Sequence, residues 1–433
     1  MRIALLNPPS YFLMDQKAFL PLSLLYLAGY IRERSGHQVE IHDLAGREDE
    51  LERALAGIDA DLYCVTATTP QYPAAREILD LLHSRSSRAK VILGGVHATS
   101  VPELCLADGW DHVVIYEGEQ ALLALAGDLE KERYAPKIFQ AEYISDIDTI
   151  PFPATDLIDC NEYGYNIDGH KAMTLITSRG CPFNCAFCSK EVWQRTVRLH
   201  SPDYIETLVR HLKAAFHFNY YLFVDDNLTL NKKRLLEIMK RLEPLGIKWR
   251  CYAHVRTTDR DMVRAMKRAG CIEIGVGIES GSQKILDTVA KGTSVEGNTA
   301  FLQMCSEESV EVNAFIMIGL PGETEETVAE TRAWMENVRP GKFGYNIFMP
   351  YYGTPVFQCP EKYDIRILPM PDEKTWVKGP LGENNVFVET SGLSQDRILE
   401  LFKENFKYFT ELINWTPGAN VRPNSRNTSS KAI

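Results

Sequence analysis

Ser178-Arg179-Gly180-Cys181-Pro182-Phe183-Asn184-Cys185-Ala186-Phe187-Cys188 is the stretch on which the reading of this 433-residue chain turns. Three cysteines fall within eight residues, and Gly180 and Pro182 keep the segment from continuing as a helix. Three thiolates on such a loop can converge on one metal centre. Tetrahedral zinc would want a fourth Cys or His, and the flanking His170 and His200 stand at no finger-type spacing. A cubane 4Fe-4S cluster on three cysteines would leave one iron open for a substrate or cofactor. Phe187, between the last two cysteines, would then shield the cluster from water.

Working outward, the loop follows a β-branched run at 173–177, the first of six strand-like runs continuing at 221–224, 248–254, 272–276, 311–318 and 343–348. Helical patterns fit between them, for instance at 232–242 and 324–338. Six βα units make a partial version of the eight-unit barrel, whose active site lies at the strand carboxyl ends. Those ends carry chemistry. The second has Asp225-Asp226-Asn227, acceptors suited to an ammonium, although the same residues would suit a cap for a helix starting near Asn231. His254 and Arg256 end the third strand, Gly275 to Gly281 with Glu279 and Ser280 the fourth, and Gly319-Leu320-Pro321-Gly322 the fifth. Tight βα turns also call for glycine, and the glycine spacing in the fourth segment differs from a dinucleotide fingerprint.

Upstream, strands at 2–6, 39–42, 62–66, 90–93 and 112–116 alternate with helices at 22–34, 50–57 and 74–84, which predicts a doubly wound, Rossmann-like parallel sheet. Ligands bind such sheets beyond the carboxyl ends of the strands. Here those ends carry Asn7-Pro8, Thr66 and Thr68, Gly94-Gly95 with His97, and Tyr116-Glu117-Gly118-Glu119, small and polar enough for a large ligand lying against the backbone. The domain limits expected are 1–140 for this sheet, 141–170 for a proline-broken linker, 171–370 for the partial barrel, and 371–433 for a C-terminal extension with a helix at 395–413 and a mobile end.

Composition narrows the rest. Hydrophobic residues at 45% and charged residues at 24% are those of a folded globular chain. With 47 Lys and Arg against 58 Asp and Glu, the net charge of −11 gives no reason for bulk nucleic-acid or anionic-membrane binding. The apolar run 20–31 is too short to span a bilayer and the start shows no signal-peptide core, so a cytoplasmic location is expected. The other seven of the ten cysteines are isolated and read as packed thiols.

The Cys-x3-Cys-x2-Cys spacing with an aromatic before the last cysteine, after the first of six βα units, resembles the radical S-adenosylmethionine (SAM) superfamily. The resemblance implies that Cys181, Cys185 and Cys188 ligate a 4Fe-4S cluster whose open iron is chelated by the amino and carboxylate groups of SAM, and that electron transfer yields a 5′-deoxyadenosyl radical. It further implies that Phe187, Asp225, Asp226, Asn227 and Arg256 contact SAM, that Glu279 and Ser280 meet the ribose, and that Gly319 and Leu320 pack on adenine. In the first half, Leu6-Asn7-Pro8-Pro9, Gly94-Gly95-Val96-His97-Ala98, Tyr116-Glu117-Gly118-Glu119 and Pro151-Phe152-Pro153 resemble the cobalamin-binding subgroup of these enzymes. No Asp-x-His-x-x-Gly follows the first strand, so no histidine stands where a lower cobalt ligand would, and His97 is expected as a loop residue. Taken together, the two resemblances imply a methyltransferase acting on an unactivated carbon of a small molecule or natural-product intermediate, supplied with electrons by a reductant such as flavodoxin or ferredoxin. A radical cyclisation or rearrangement without methyl transfer, and a non-catalytic iron-sulfur or cobalamin-sensing regulator, remain as alternatives.

Overall fold

The computed structural model describes residues 1–11, 13, 15–85, 89–370 and 385–414. The expected mobile end at 421–433 lies outside them. Among the described residues the chain divides after Met173 into two compact units, the second made of 174–370 and 385–414.

In the first unit, β1 (Arg2–Asn7), β2 (Gln38–Asp43), β3 (Leu62–Thr66), β4 (Lys90–Gly94), β5 (His112–Val114) and β6 (Ile138–Phe139) form one parallel sheet in the order β2-β1-β3-β4-β5-β6. The interior strands are near-continuous apolar runs because helices cover both faces of a parallel sheet. Leu62, Tyr63, Cys64 and Val65 are all buried. Tyr72, Ala75, Ile78, Leu79 and Leu82 of the helix Tyr72–Ser84 bring an apolar stripe into the same core, at the spacing of one helix face. The helix Leu22–Arg34 keeps its predicted bounds. The stretch expected as a linker packs into this unit: Ile144, Ile147, Ile150, Ala154 and Cys160 are buried, and the Ala154 amide donates to the Leu25 carbonyl at 3.0 Å.

The second sheet contains β7 (His170–Leu175, in which the division falls), β8 (Tyr220–Phe223), β9 (Lys248–Ala253), β10 (Cys271–Glu279), β11 (Glu311–Ile318) and β12 (Lys342–Ile347), side by side in chain order. Strands β8 to β12 pair in parallel. The intervening helices have identifiable starts. Ser201 accepts from the Tyr204 amide and Pro202 opens the helix Pro202–Phe216. Asn231 accepts from the Arg234 amide to start Lys232–Leu242, so Asp225-Asp226-Asn227 does not cap that helix. Near the amino ends of β9 to β12 an ion network crosses the sheet: Glu273 lies 3.3 Å from Arg250 and 2.7 Å from Lys342, which also pairs with Glu311 at 2.6 Å. The expected site residues lie at the other end of the strands.

Candidate cofactor sites at the strand ends

In the first unit the connections leave the sheet in opposite directions from β1 and β3, which makes the crevice beyond their carboxyl ends the place where doubly wound sheets take ligands. Side chains brace that edge. Asn7 donates to Asp43 Oδ1 at 2.8 Å, and the other Asp43 oxygen accepts from the Tyr163 hydroxyl at 2.5 Å. Gln71 donates to the Pro8 carbonyl at 3.3 Å and to Ser10 Oγ at 2.9 Å, and its own oxygen accepts from the Thr68 amide and hydroxyl. Gly95 has φ +95°, and a Cβ there would meet Thr66 Oγ1 at 2.7 Å and the Ala67 carbonyl at 3.0 Å. Its glycine is therefore required by the packing of one loop on another. At Gly94 a Cβ would meet only the Val114 carbonyl at 3.8 Å. Thr66, Thr68, Gly94, Gly95 and Tyr116 leave part of their surface open along this edge, a shelf of small residues and backbone that fits a large flat cofactor such as cobalamin.

Three of the expected cobalamin residues are buried. His97 is fully buried in the short helix Val96–Ser100, stacked on Tyr72 at 3.9 Å with a ring nitrogen 3.2 Å from Thr69 Oγ1. Burial pushes its pKa down to about 3, so the ring is neutral. It lies in a helix, where a loop was expected. Glu117 is buried and accepts the Ile144 amide at 3.1 Å, and Glu119 is buried in the first turn of the helix Gly118–Glu130. Tyr116 adopts φ +65°, uncommon for a residue with a side chain, and its amide donates to Thr99 Oγ1 at 3.0 Å.

In the second unit the chain leaves β7 and makes a cysteine-bearing excursion closed at its base by antiparallel pairing, Ser178 with Leu199 and Arg179 with Arg198. Trp193 lies 5.5 Å from the Arg179 guanidinium and 5.6 Å from that of Arg198. Gly180 has φ +91°, and a Cβ there would strike the Thr196 carbonyl. The loop is pinned further by Ala186, whose amide donates to Val289 and whose carbonyl accepts from Val356. Phe183 stacks on His254 at 4.0 Å, which fastens the loop to the end of β9. Cys185 is buried, Cys181 half-buried and Cys188 exposed. Burial pushes the Cys185 thiol up, while the charges of Lys291 and Lys190 pull it back toward the thiolate a metal requires. Among the described residues, no three His, Cys, Asp or Glu side chains are grouped closely enough to hold a single metal ion. The assignment of the three cysteines to a cluster rests on their spacing and on this loop.

Around the loop several buried polar atoms have no protein partner: Thr174 Oγ1, Asp225 Oδ2, His254 Nε2, Ser189 Oγ and Lys190 Nζ. Buried polar groups are rarely left so. Asp225 Oδ1 is held by the Thr177 amide at 3.0 Å, the Thr177 hydroxyl at 2.8 Å and the Ser178 hydroxyl, which leaves Oδ2 as an oriented acceptor. His254 Nδ1 accepts the Arg256 amide at 3.2 Å, so the neutral ring carries its proton on Nε2. A carboxylate oxygen, an imidazole N–H and an ammonium awaiting partners fit a ligand with both an amino and a carboxylate group, as SAM has.

The other expected SAM residues are distributed less uniformly. Asn227 is engaged locally, accepting from the Thr229 amide at 3.1 Å and donating to Thr257 Oγ1 at 3.1 Å. Ser280 is likewise engaged with Thr331 Oγ1 at 3.0 Å and with the Ser282 amide. Asp226 is exposed, and the Arg256 guanidinium lies 5.4 Å from the Phe183 ring. Glu279 adopts φ +68° where the register of β10 slips against β11, and its carboxylate pairs with the buried Lys291 at 2.7 Å. That lysine also sits 5.9 Å from the Phe187 ring. Gly319 and Leu320 donate their amides to the buried Glu323 carboxyl at 2.5 and 3.3 Å. Burial pushes the Glu323 pKa up to about 8. Sequence reasoning missed Lys190, Lys291 and Glu323; their traces are a basic residue two positions after Cys188, another before Gly292, and an acid closing the Gly-Leu-Pro-Gly turn.

Comparison with known proteins agrees with this geometry. Residues 175–335 match the model of the radical SAM superfamily and residues 17–126 that of the B12 binding domain. An uncharacterized methyltransferase of Pyrococcus horikoshii is 30% identical over 387 residues, 83% of either chain. The chain belongs to the cobalamin-binding radical SAM enzymes. The anaerobic magnesium-protoporphyrin IX monomethyl ester cyclase of Cereibacter sphaeroides is 26% identical over 78% of this chain and 60% of its own length. Among solved structures, the radical SAM methyltransferase TsrM from Kitasatospora setae, with cobalamin and a [4Fe-4S] cluster bound, superposes with a TM-score of 0.70 at 17% identity, over 86% of this chain and 81% of its own.

Proposed function

We propose that this enzyme is a cobalamin-dependent radical SAM methyltransferase acting on an unactivated carbon of a small-molecule biosynthetic intermediate. The observation that carries the reading is the pairing of the two domains with a methyltransferase-named relative that matches 83% of the chain. In this reading Cys181, Cys185 and Cys188 hold the cluster, with Phe187 excluding water. Asp225 Oδ2 takes the SAM amino group, the free oxygen of Glu279 takes a ribose hydroxyl while Lys291 holds the other, and the Gly319-Leu320 turn supports adenine. When bound, the cluster would supply the electron for reductive cleavage of SAM, and cobalamin the chemistry of methyl transfer. The protein's part is to orient these groups and keep the site dry.

No helix among the described residues is long and apolar enough to cross a membrane. A cytoplasmic enzyme reduced by a flavodoxin or ferredoxin agrees with that. A second reading, radical cyclisation without methyl transfer, draws support from the cyclase relative. Anaerobic reconstitution with iron, sulfide and cobalamin tests the catalytic reading itself: reduction in the presence of SAM should release 5′-deoxyadenosine. A reconstituted protein that binds the cofactors and releases none would be a sensor.

A further inference from the structure

Lys291 carries a positive charge into the interior of the second unit beside the cysteine loop. It is only 6% exposed, and its ammonium donates to Glu279 Oε1 at 2.7 Å. Taking both charges of such a pair out of water is costly, so a buried pair is weak evidence of a stabilising role. The backbone fixes where it sits. After the helix Gln283–Thr288 the Lys291 amide donates to the Leu286 carbonyl at 3.0 Å, and the Val289 carbonyl accepts the Ala186 amide of the cysteine loop at 2.8 Å. Gly277 leaves room for the pair, since a Cβ there would strike Glu279 Oε1 and meet Lys291 Nζ at 2.6 Å. The ammonium lies 5.9 Å from the ring of Phe187, which stands between Cys185 and Cys188 in the chain.

The two charges of the pair do not cancel at the loop. Burial acts most strongly on the Cys185 thiol; among the charges around it Lys291 comes first, and Glu279 acts in the opposite direction more weakly. Burial also works against the charge on Lys291, but Glu279, Cys185 and Cys188 together raise its pKa above the ordinary lysine value, so the ammonium stays protonated. A 4Fe-4S cluster on three thiolates takes up one electron on reduction, and net charge nearby is one of the terms that set its potential. In a buried setting, a positive charge close by favours the reduced form. We infer that Lys291 tunes the reduction potential of the cluster: its ammonium, only partly offset by Glu279, stabilises the electron that the cluster accepts from an external reductant. The inference rests on the cluster reading above.

The test is a redox titration of the full chain reconstituted with iron and sulfide, followed by the electron paramagnetic resonance signal of the reduced cluster. No SAM is added, so contacts to SAM do not enter, and europium(II) chelates supply the electron. Iron is counted first: iron retained in Cys185→Ala would defeat the cluster reading itself. Lys291→Met should retain iron and lower the midpoint potential, shifting the reduced-to-oxidised ratio at a fixed solution potential at least tenfold, about 59 mV for a one-electron couple. Lys291→Arg should keep that ratio within threefold of wild type. Lys291→Met combined with Glu279→Gln, which removes both charges, should still lie below wild type, by no more than Lys291→Met alone. Lys342→Met, which removes a paired lysine near the amino ends of the same sheet, should leave the ratio unchanged. A ratio within threefold of wild type in Lys291→Met would overturn the inference. So would an equal shift in Lys342→Met, or loss of iron in both Lys291→Met and the double variant, which would make the pair a part of the fold.

Discussion

Cys185 is buried, with the charges of Lys291 and Lys190 acting on its thiol, while Cys181 and Cys188 reach solvent. If all three ligate one cluster, changing any of them to Ala should remove bound iron, the brown absorbance and SAM cleavage together. Cys271→Ala, a fully buried thiol of β10, should lower stability only and keep the iron. Retained iron in Cys185→Ala would contradict the assignment. Glu323 offers a different kind of test. Its carboxyl titrates near pH 8 in the folded chain against an ordinary 4.5. Between those values the folded state binds more protons than the unfolded state, so this group's contribution to stability is whole below about pH 4.5 and falls as pH rises through 8. The penalty is about 1.4 kcal/mol per pH unit in that window. Glu323→Gln cannot ionise, and its urea midpoint should gain on that of wild type between pH 5.5 and 8; parallel curves would show that Glu323 is ionised throughout. The cysteines were legible because a triplet within eight residues has few other uses. Lys190, Lys291 and Glu323 were not, because a single charge acquires meaning only from neighbours that the fold brings to it.

Gly94 and Gly95 adjoin at the end of β4 and make different demands on that element. Gly95 holds φ +95° against Thr66 and Ala67, so Gly95→Val should lower thermal stability and retained cobalamin together. Gly94 has room for a Cβ in the protein itself. Gly94→Val should therefore leave the melting temperature within a few degrees, lower retained cobalamin and leave iron unchanged. Wild-type cobalamin content in Gly94→Val would mean the cofactor does not lie on this shelf. Elements with strong local patterning were read at their observed bounds, among them Leu22–Arg34, Lys232–Leu242 and Glu311–Ile318. β10 runs from Cys271 to Glu279, beyond the expected 272–276, because pairing with β11 carries it on through Gly277, which disfavours strand locally. Two-residue β6 left no periodicity to detect. The role of Asp225 was ambiguous between cap and ligand until Asn231 was seen to cap the helix.

Two units, each an α/β sheet with its polar residues at the strand carboxyl ends, give the whole molecule places for two cofactors of unlike chemistry. The limits proposed for the parts, a sheet domain to residue 140 and a barrel from 171 to 370, predict that the cluster survives loss of cobalamin: the Gly95→Val protein should still cleave SAM reductively, at a rate within a fewfold of wild type, and a protein without iron should still retain cobalamin. The central claim, methyl transfer through cobalamin, has a stoichiometric signature, since methylation consumes one SAM as methyl donor and another as radical source. With the true substrate and cobalamin-loaded enzyme, S-adenosylhomocysteine and 5′-deoxyadenosine should accumulate in roughly equal amounts, matched by methylated product. Deoxyadenosine formed with substrate turnover but without S-adenosylhomocysteine would contradict methyl transfer and favour cyclisation or rearrangement.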